Sequence, residues 1–109
     1  MTEYYFAPLE GITGCLFRQV HHRHFPQMDR YFMPFLVPHE KRTFNGKELR
    51  EMDPENNKGI WVIPQIMTNK AEDFISTGRK LQDRGYEEVN LNLGCPSKTV
   101  VSKGRGSGF

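Results

Sequence analysis

Cysteine is scarce in this chain of 109 residues: there are two, Cys15 and Cys95, far apart in the sequence. That excludes a disulfide framework and a CxxC metal pair. No apolar run approaches the roughly 20 residues of a membrane span. The opening Met1-Thr2-Glu3-Tyr4-Tyr5-Phe6 has no basic stretch leading into an apolar core, so it does not read as a secretory signal. A strong charge bias is missing too. The net charge of +2 with His neutral neither demands nor excludes a nucleic-acid partner. There is no internal repeat, no low-complexity segment and no linker. These absences point to one domain in a reducing, cytoplasmic compartment, with no membrane partner.

The composition that is present, 37% hydrophobic and 26% charged, is globular. The length suffices for a small domain with a core. It falls short of a complete (β/α)8 barrel, which takes about 250 residues.

Along the chain, Tyr4 to Leu9 reads as a buried strand stopped by Pro8. A turn follows at 10–14, with Thr13 placed to cap a helix. Leu16, Phe17, Val20 and His24 recur at helical spacing, which predicts a helix from about residue 14 to His24. A second strand is expected over Arg30–Val37, breaking near Pro34. The polar stretch 38–59 reads as a loop with a helical turn around Lys47–Met52. Trp61–Ile66 is a third strand. Asn69 is expected to cap a helix running through Leu81 and ending at Gly85. Glu88–Leu93 alternates strictly, with Val89, Leu91 and Leu93 on one side and Asn90 and Asn92 on the other. A glycine-rich tail closes the chain. Strands alternating with helices predict an α/β fold with parallel strands.

The residues with chemical potential gather late in the chain. Cys95 follows a strand directly, where parallel α/β folds form their ligand sites. A free thiol with a pKa of about 8.5 is mostly protonated near pH 7 and can serve as an acid. A small buried residue is the equally weighted plain alternative. Asn is depleted in strands, and a carboxamide suits the edge of a uracil or a flavin. We read Asn92, nearer the strand end, as functional, and Asn90 as an interior amide satisfied by a neighbour. Gln65 ends its strand after Pro64, where a ligand would sit, but a polar residue leaving the sheet is the commoner case there. Lys98, Lys103 and Arg105 lie among glycines, but no complete phosphate-loop or dinucleotide fingerprint is present, so solvated charges are the plainer reading. His21 and His24 are one turn apart without a third ligand at a usual spacing, so a solvated helix face is expected. Cys15 is read as packing.

Three segments together resemble the tRNA-dihydrouridine synthase family. Phe6-Ala7-Pro8-Leu9-Glu10-Gly11-Ile12-Thr13 followed by Phe17-Arg18 resembles the family's first strand and turn. Pro64-Gln65-Ile66 resembles its third strand. Asn90-Leu91-Asn92-Leu93-Gly94-Cys95-Pro96-Ser97-Lys98-Thr99-Val100, with the run Gly104–Gly108 after it, resembles its active-site segment. The last segment is the most specific, and order and spacing agree over essentially the whole chain.

The resemblance implies the first half, about four strands, of an FMN-binding TIM (β/α)8 barrel over residues 1–109. The second half-barrel and a helical tRNA-binding domain would then lie outside this chain. It implies that Ala7, Pro8 and Leu9 line the flavin, that Gln65 hydrogen-bonds its ring, that Asn92 contacts the target uracil and that Cys95 is the general acid. The reaction so implied is reduction of uridine in tRNA to dihydrouridine. NADPH reduces FMN, hydride passes from flavin N5 to uracil C6, and Cys95 protonates C5. Asn90 stands where many members carry an acidic residue. Two other readings compete: a different FMN-dependent pyrimidine oxidoreductase of the dihydropyrimidine or dihydroorotate dehydrogenase kind, and a non-catalytic half-barrel that self-associates.

Overall fold

A computed structural model describes residues 1–39 and 44–109. Positions 40–43 of the expected loop lie outside the described residues. The strands are β1 (Tyr5–Phe6), β2 (Arg30–Phe32), β3 (Val62–Ile63), β4 (Gln65–Ile66) and β5 (Asn90–Leu91). The helices are α1 (Cys15–His24), α2 (Gly46–Met52), α3 (Ala71–Asp83) and α4 (Lys98–Val101). All strand pairs are parallel, in the spatial orders β1-β2-β3 and β4-β5.

Pro64, which has no N–H to donate, divides the expected third strand into β3 and β4. The ladder continues past the break. The Pro64 carbonyl accepts from Asn90 N–H at 2.9 Å, and Leu36 bridges Ile66 beyond Pro34. The predicted order of strands and helices is therefore present, and the expected break near Pro34 is real. The regular strands are shorter than their apolar runs.

The core lies on the helix side of the sheet. Tyr31, Met33, Leu36, Met52, Val62, Ile66 and Leu81 are buried there, with Phe6, Phe74, Tyr86 and Val89 packed against them. Alternation then sends Tyr5, Arg30, Trp61, Gln65 and Asn90 to the opposite face. Contacts on that face agree. The Arg30 guanidinium lies 4.0 Å from the Trp61 ring centroid and 4.9 Å from that of Tyr5. Of the apolar side of the fourth strand, Val89 packs on the core, whereas Leu91 and Leu93 are exposed.

Several local expectations are corrected. Thr13 does not cap α1; Gly14 does, without a side-chain bond. The Thr13 hydroxyl instead closes the turn behind it, accepting from Leu9 N–H at 2.8 Å. Asn69 does not cap α3 either. Lys70 is its N-cap, and Asn69 Nδ2 donates to the Lys103 carbonyl at 3.1 Å. The helical turn near Lys47 is a true helix, α2. Asn45 and Glu48 exchange side-chain and backbone bonds there in a capping box. In α1 the apolar repeat faces outward: Leu16 is 77% exposed, while Arg18 is wholly buried. Gly85, with φ of 98°, ends α3 as expected.

Candidate active site

Because the strands are parallel, all their C-terminal ends share one end of the sheet. Ala7-Pro8-Leu9 follows β1, Gln65 lies in β4, and Asn92 and Cys95 follow β5. β2 separates β1 from the strand segment carrying Gln65. Two strand spacings put the first group about 10 Å to the side of Gln65. The structure thus gathers the six residues singled out in the sequence at one end of the fold.

Gln65 and Asn90 are register partners, so their side chains meet on the same face. Gln65 Nε2 donates to Asn90 Oδ1 at 2.8 Å, and Asn92 Nδ2 donates to Gln65 Oε1 at 2.9 Å. Asn92 Oδ1 accepts from the backbone N–H groups of Gly94 and Cys95, at 3.1 Å each. The Asn90 side-chain oxygen is met by a neighbour, as expected. Asn92 supports the cysteine loop through its oxygen and retains one amide hydrogen for another acceptor. Gln65 is buried, yet one N–H and one lone pair of its amide stay uncommitted among these contacts.

The Cys95 loop is held from its other side as well. The Cys95 carbonyl accepts from Ser107 N–H at 3.0 Å and from Ser107 Oγ at 3.1 Å. The preceding Gly106 has φ of +56°, and a Cβ there would lie 2.6 Å from the Cys95 oxygen. Only glycine lets the tail approach so closely. The tail is accordingly structured, with α4 followed by a 3-10 turn over Gly106–Gly108. Lys98 and Lys103 are exposed, as solvated charges would be, whereas Arg105 is half-buried. The Cys95 thiol is itself half-buried.

Just past β1, Ala7 and Leu9 are exposed and Pro8 is half-buried. Leu9 N–H is occupied by Thr13 and the Leu9 carbonyl by Ile12 and Thr13, so the turn offers a ligand mainly apolar surface.

His21 is no solvated side chain. Its Nδ1 shares a 2.7 Å hydrogen bond with the Tyr31 hydroxyl, and its ring packs among Phe6, Phe17 and Phe25. Among the described residues no group of three or more metal-ligating side chains occurs, and no helix is long and apolar enough to cross a membrane. A cavity of about 990 Å³ opens between α1, α2 and the segment after β2, but none of the six site residues lines it.

Sequence reasoning missed the network behind the β1 turn. Arg18 donates to the Thr13 carbonyl at 2.9 Å, to Glu51 Oε2 at 3.2 Å, to the Glu51 carbonyl at 3.0 Å and to Asn57 Oδ1 at 2.8 Å. Glu51 Oε2 also accepts Cys15 N–H at 2.8 Å, at the start of α1. Glu51 and Asn57 sit in the stretch read as loop, and no local pattern there signals a buried partner.

A cysteine and three linked amides thus lie together at the C-terminal end of a parallel α/β sheet, the end at which such folds form their ligand sites. The sequence model described as "Dihydrouridine synthase (Dus)" matches residues 5–109. The chain belongs to the dihydrouridine synthase family. It is 28% identical over 103 residues to a probable tRNA-dihydrouridine synthase 1 of Synechocystis sp., covering 93% of this chain and 28% of that protein. It is 30% identical over 109 residues to a probable tRNA-dihydrouridine synthase of Staphylococcus epidermidis, covering 94% of this chain and 32% of the relative. A Staphylococcus aureus protein of the same name is 28% identical, with 94% and 31% covered. The chain thus spans about a third of the length of these relatives.

Proposed function

We propose that this chain forms the flavin-facing strand ends of a cytoplasmic TIM-barrel enzyme that reduces uridine in tRNA to 5,6-dihydrouridine. Family membership supports the reaction class. The observation that carries the residue assignment is the placement of Cys95 in the loop that follows β5, with its backbone fixed by Asn92 and Ser107. In this reading Ala7, Pro8 and Leu9 offer apolar surface to the flavin ring. Gln65, buried but not saturated, hydrogen-bonds the ring, and that residual capacity is what makes the site fit such a group.

FMN, reduced by NADPH, would supply the hydride that reaches C6 of the uracil. Cys95 supplies the proton that reaches C5, and its thiolate then regains a proton from solvent. The C5–C6 double bond becomes single, and charge balances. Asn92 orients the base with its remaining amide hydrogen. A base inside a stacked helix could not reach these groups, so the uridine must swing out of the tRNA stack. The protein's contribution is placement plus one proton.

The test uses the full-length protein. Cys95→Ala should retain FMN reduction by NADPH and lose about 100-fold or more of dihydrouridine formation, the usual contribution of a positioned acid. Cys15→Ala should leave both steps nearly intact. Product formation at the parent rate by Cys95→Ala would remove the cysteine from the chemistry. Turnover of free pyrimidine in preference to tRNA would point to a different pyrimidine reductase.

A further inference from the structure

The linked amides carry a direction. The oxygen and nitrogen ends of a carboxamide are alike in shape, so their orientation must be argued from partners. The backbone N–H groups of Gly94 and Cys95 can only donate, so the Asn92 atom facing both is its oxygen. The other end of Asn92 is then its NH2 group, and the Gln65 atom 2.9 Å away must be oxygen. The NH2 end of Gln65 is thereby turned toward position 90, where it needs an acceptor and finds Asn90 Oδ1 at 2.8 Å. The fold of the cysteine loop thus dictates, through two side chains, what position 90 must provide.

We propose that Asn90 is a positioning residue: as the terminal acceptor of the chain Asn92–Gln65–Asn90, it fixes which end of the Gln65 amide is presented to the flavin ring. This rests on the proposed reading of Gln65 as a flavin contact. The free amide hydrogen of Gln65 then serves as a donor of set direction for an acceptor on the ring. The same chain ties the ring contact to the loop bearing Cys95, so the two halves of the chemistry share one frame. The requirement at position 90 is an acceptor, not an amide. A carboxylate satisfies it; a hydrocarbon of equal size does not. The requirement at position 92 is stricter, because that side chain must accept from the backbone and donate to Gln65 together.

The experiment is an FMN titration of the full-length apoprotein, followed by flavin fluorescence. Gln65→Leu should weaken FMN about 5- to 150-fold, the size of one lost buried hydrogen bond. Asn90→Leu should weaken it by about tenfold. Asn90→Asp should stay within about threefold of the parent. Both substitutions remove the native amide, so a difference between them reports the acceptor. Asn92→Asp forces Gln65 and Asn90 to turn round. Asn90→Asp combined with Asn92→Asp leaves Gln65 no orientation without its oxygen against a carboxylate. The double variant should therefore bind more weakly than the product of the single effects, which keeps the proposal testable should Asn90→Leu fold poorly. Equal affinity of Asn90→Leu and Asn90→Asp, with Gln65→Leu impaired, would overturn the positioning role and leave the flavin contact standing. An unchanged affinity of Gln65→Leu would overturn both.

Discussion

Arg18 and Glu51 meet at 3.2 Å, with the arginine side chain wholly buried and the carboxylate side chain 16% exposed. Burial pushes the guanidinium pKa down, and the Glu51 charge counters that shift. The pair joins three pieces: the turn after β1 through Thr13, the start of α1 through Cys15, and α2 with the 3-10 turn Pro54–Asn57. Since Thr13 in turn holds Leu9, the network braces the turn proposed to face the flavin.

Removing one member of a buried pair strands the other. Arg18→Met should therefore destabilise the full-length protein by about 3–5 kcal/mol. Arg18→Met combined with Glu51→Leu removes the stranded charge and should recover part of that loss. The recovery is partial because Thr13, the Glu51 carbonyl and Asn57 still lose their donor. Urea midpoints of the two variants decide the matter. A double variant no more stable than Arg18→Met would show that neutral contacts, not charge, dominate the site.

The contrast between this network and the amides shows what a sequence makes legible. Cys95, Gln65, Asn90 and Asn92 stood out because polar or reactive residues at apolar strand ends break a pattern. Arg18 did not, because an arginine on a helix looks like ordinary solvated surface. Its burial depends on Glu51 and Asn57, more than thirty positions later, and no local rule brings them together. The caps failed for a related reason. Thr13 and Asn69 have the right chemistry for capping, but the turn behind Thr13 claimed its hydroxyl through Leu9, and a tertiary partner, Lys103, claimed the Asn69 amide. Asn45, whose partner Glu48 is three residues away, caps its helix by purely local contacts.

Alkaline pH offers a second test of the packing. Burial raises the Cys15 thiol pKa, and the Glu51 carboxylate adds to the shift. Burial also raises the phenols of Tyr31 and Tyr86. In each case the folded state holds its proton more tightly than the unfolded chain. The stability so contributed is full below the unfolded pKa and is lost as pH climbs through the folded one. The melting temperature should accordingly begin to fall above about pH 8.5, where an unfolded thiol ionises, and fall further above about pH 10 as unfolded phenols do. Tyr86 sharpens the second phase, because its hydroxyl donates to the Met52 carbonyl at 2.6 Å and a phenolate cannot. Cys15→Ala should flatten the first phase alone. A melting temperature constant from pH 8 to 10 would contradict the thiol's share.

The 109-residue chain by itself should self-associate and hold FMN weakly or not at all. Among the described residues β1 pairs only with β2, and β5 only with β4, so each strand leaves a row of backbone groups open. Apolar surface lies beside those edges, with Tyr5 49% and Leu93 51% exposed. Open edges next to apolar faces are templates for pairing with another copy. The flavin contacts proposed within the chain reach only the ring, through the β1 turn and Gln65, so the affinity available here is a fraction of a complete site. Sedimentation velocity over a dilution series should show species larger than the monomer at micromolar concentration. A charge on the open edge opposes such pairing, so Leu91→Lys, at a position 36% exposed on β5, should shift the distribution toward monomer. An FMN titration beside it should show little saturable binding. A monomer that holds one FMN per chain would overturn both expectations, and self-association undiminished by Leu91→Lys would move the contact from the β5 edge to the β1 edge.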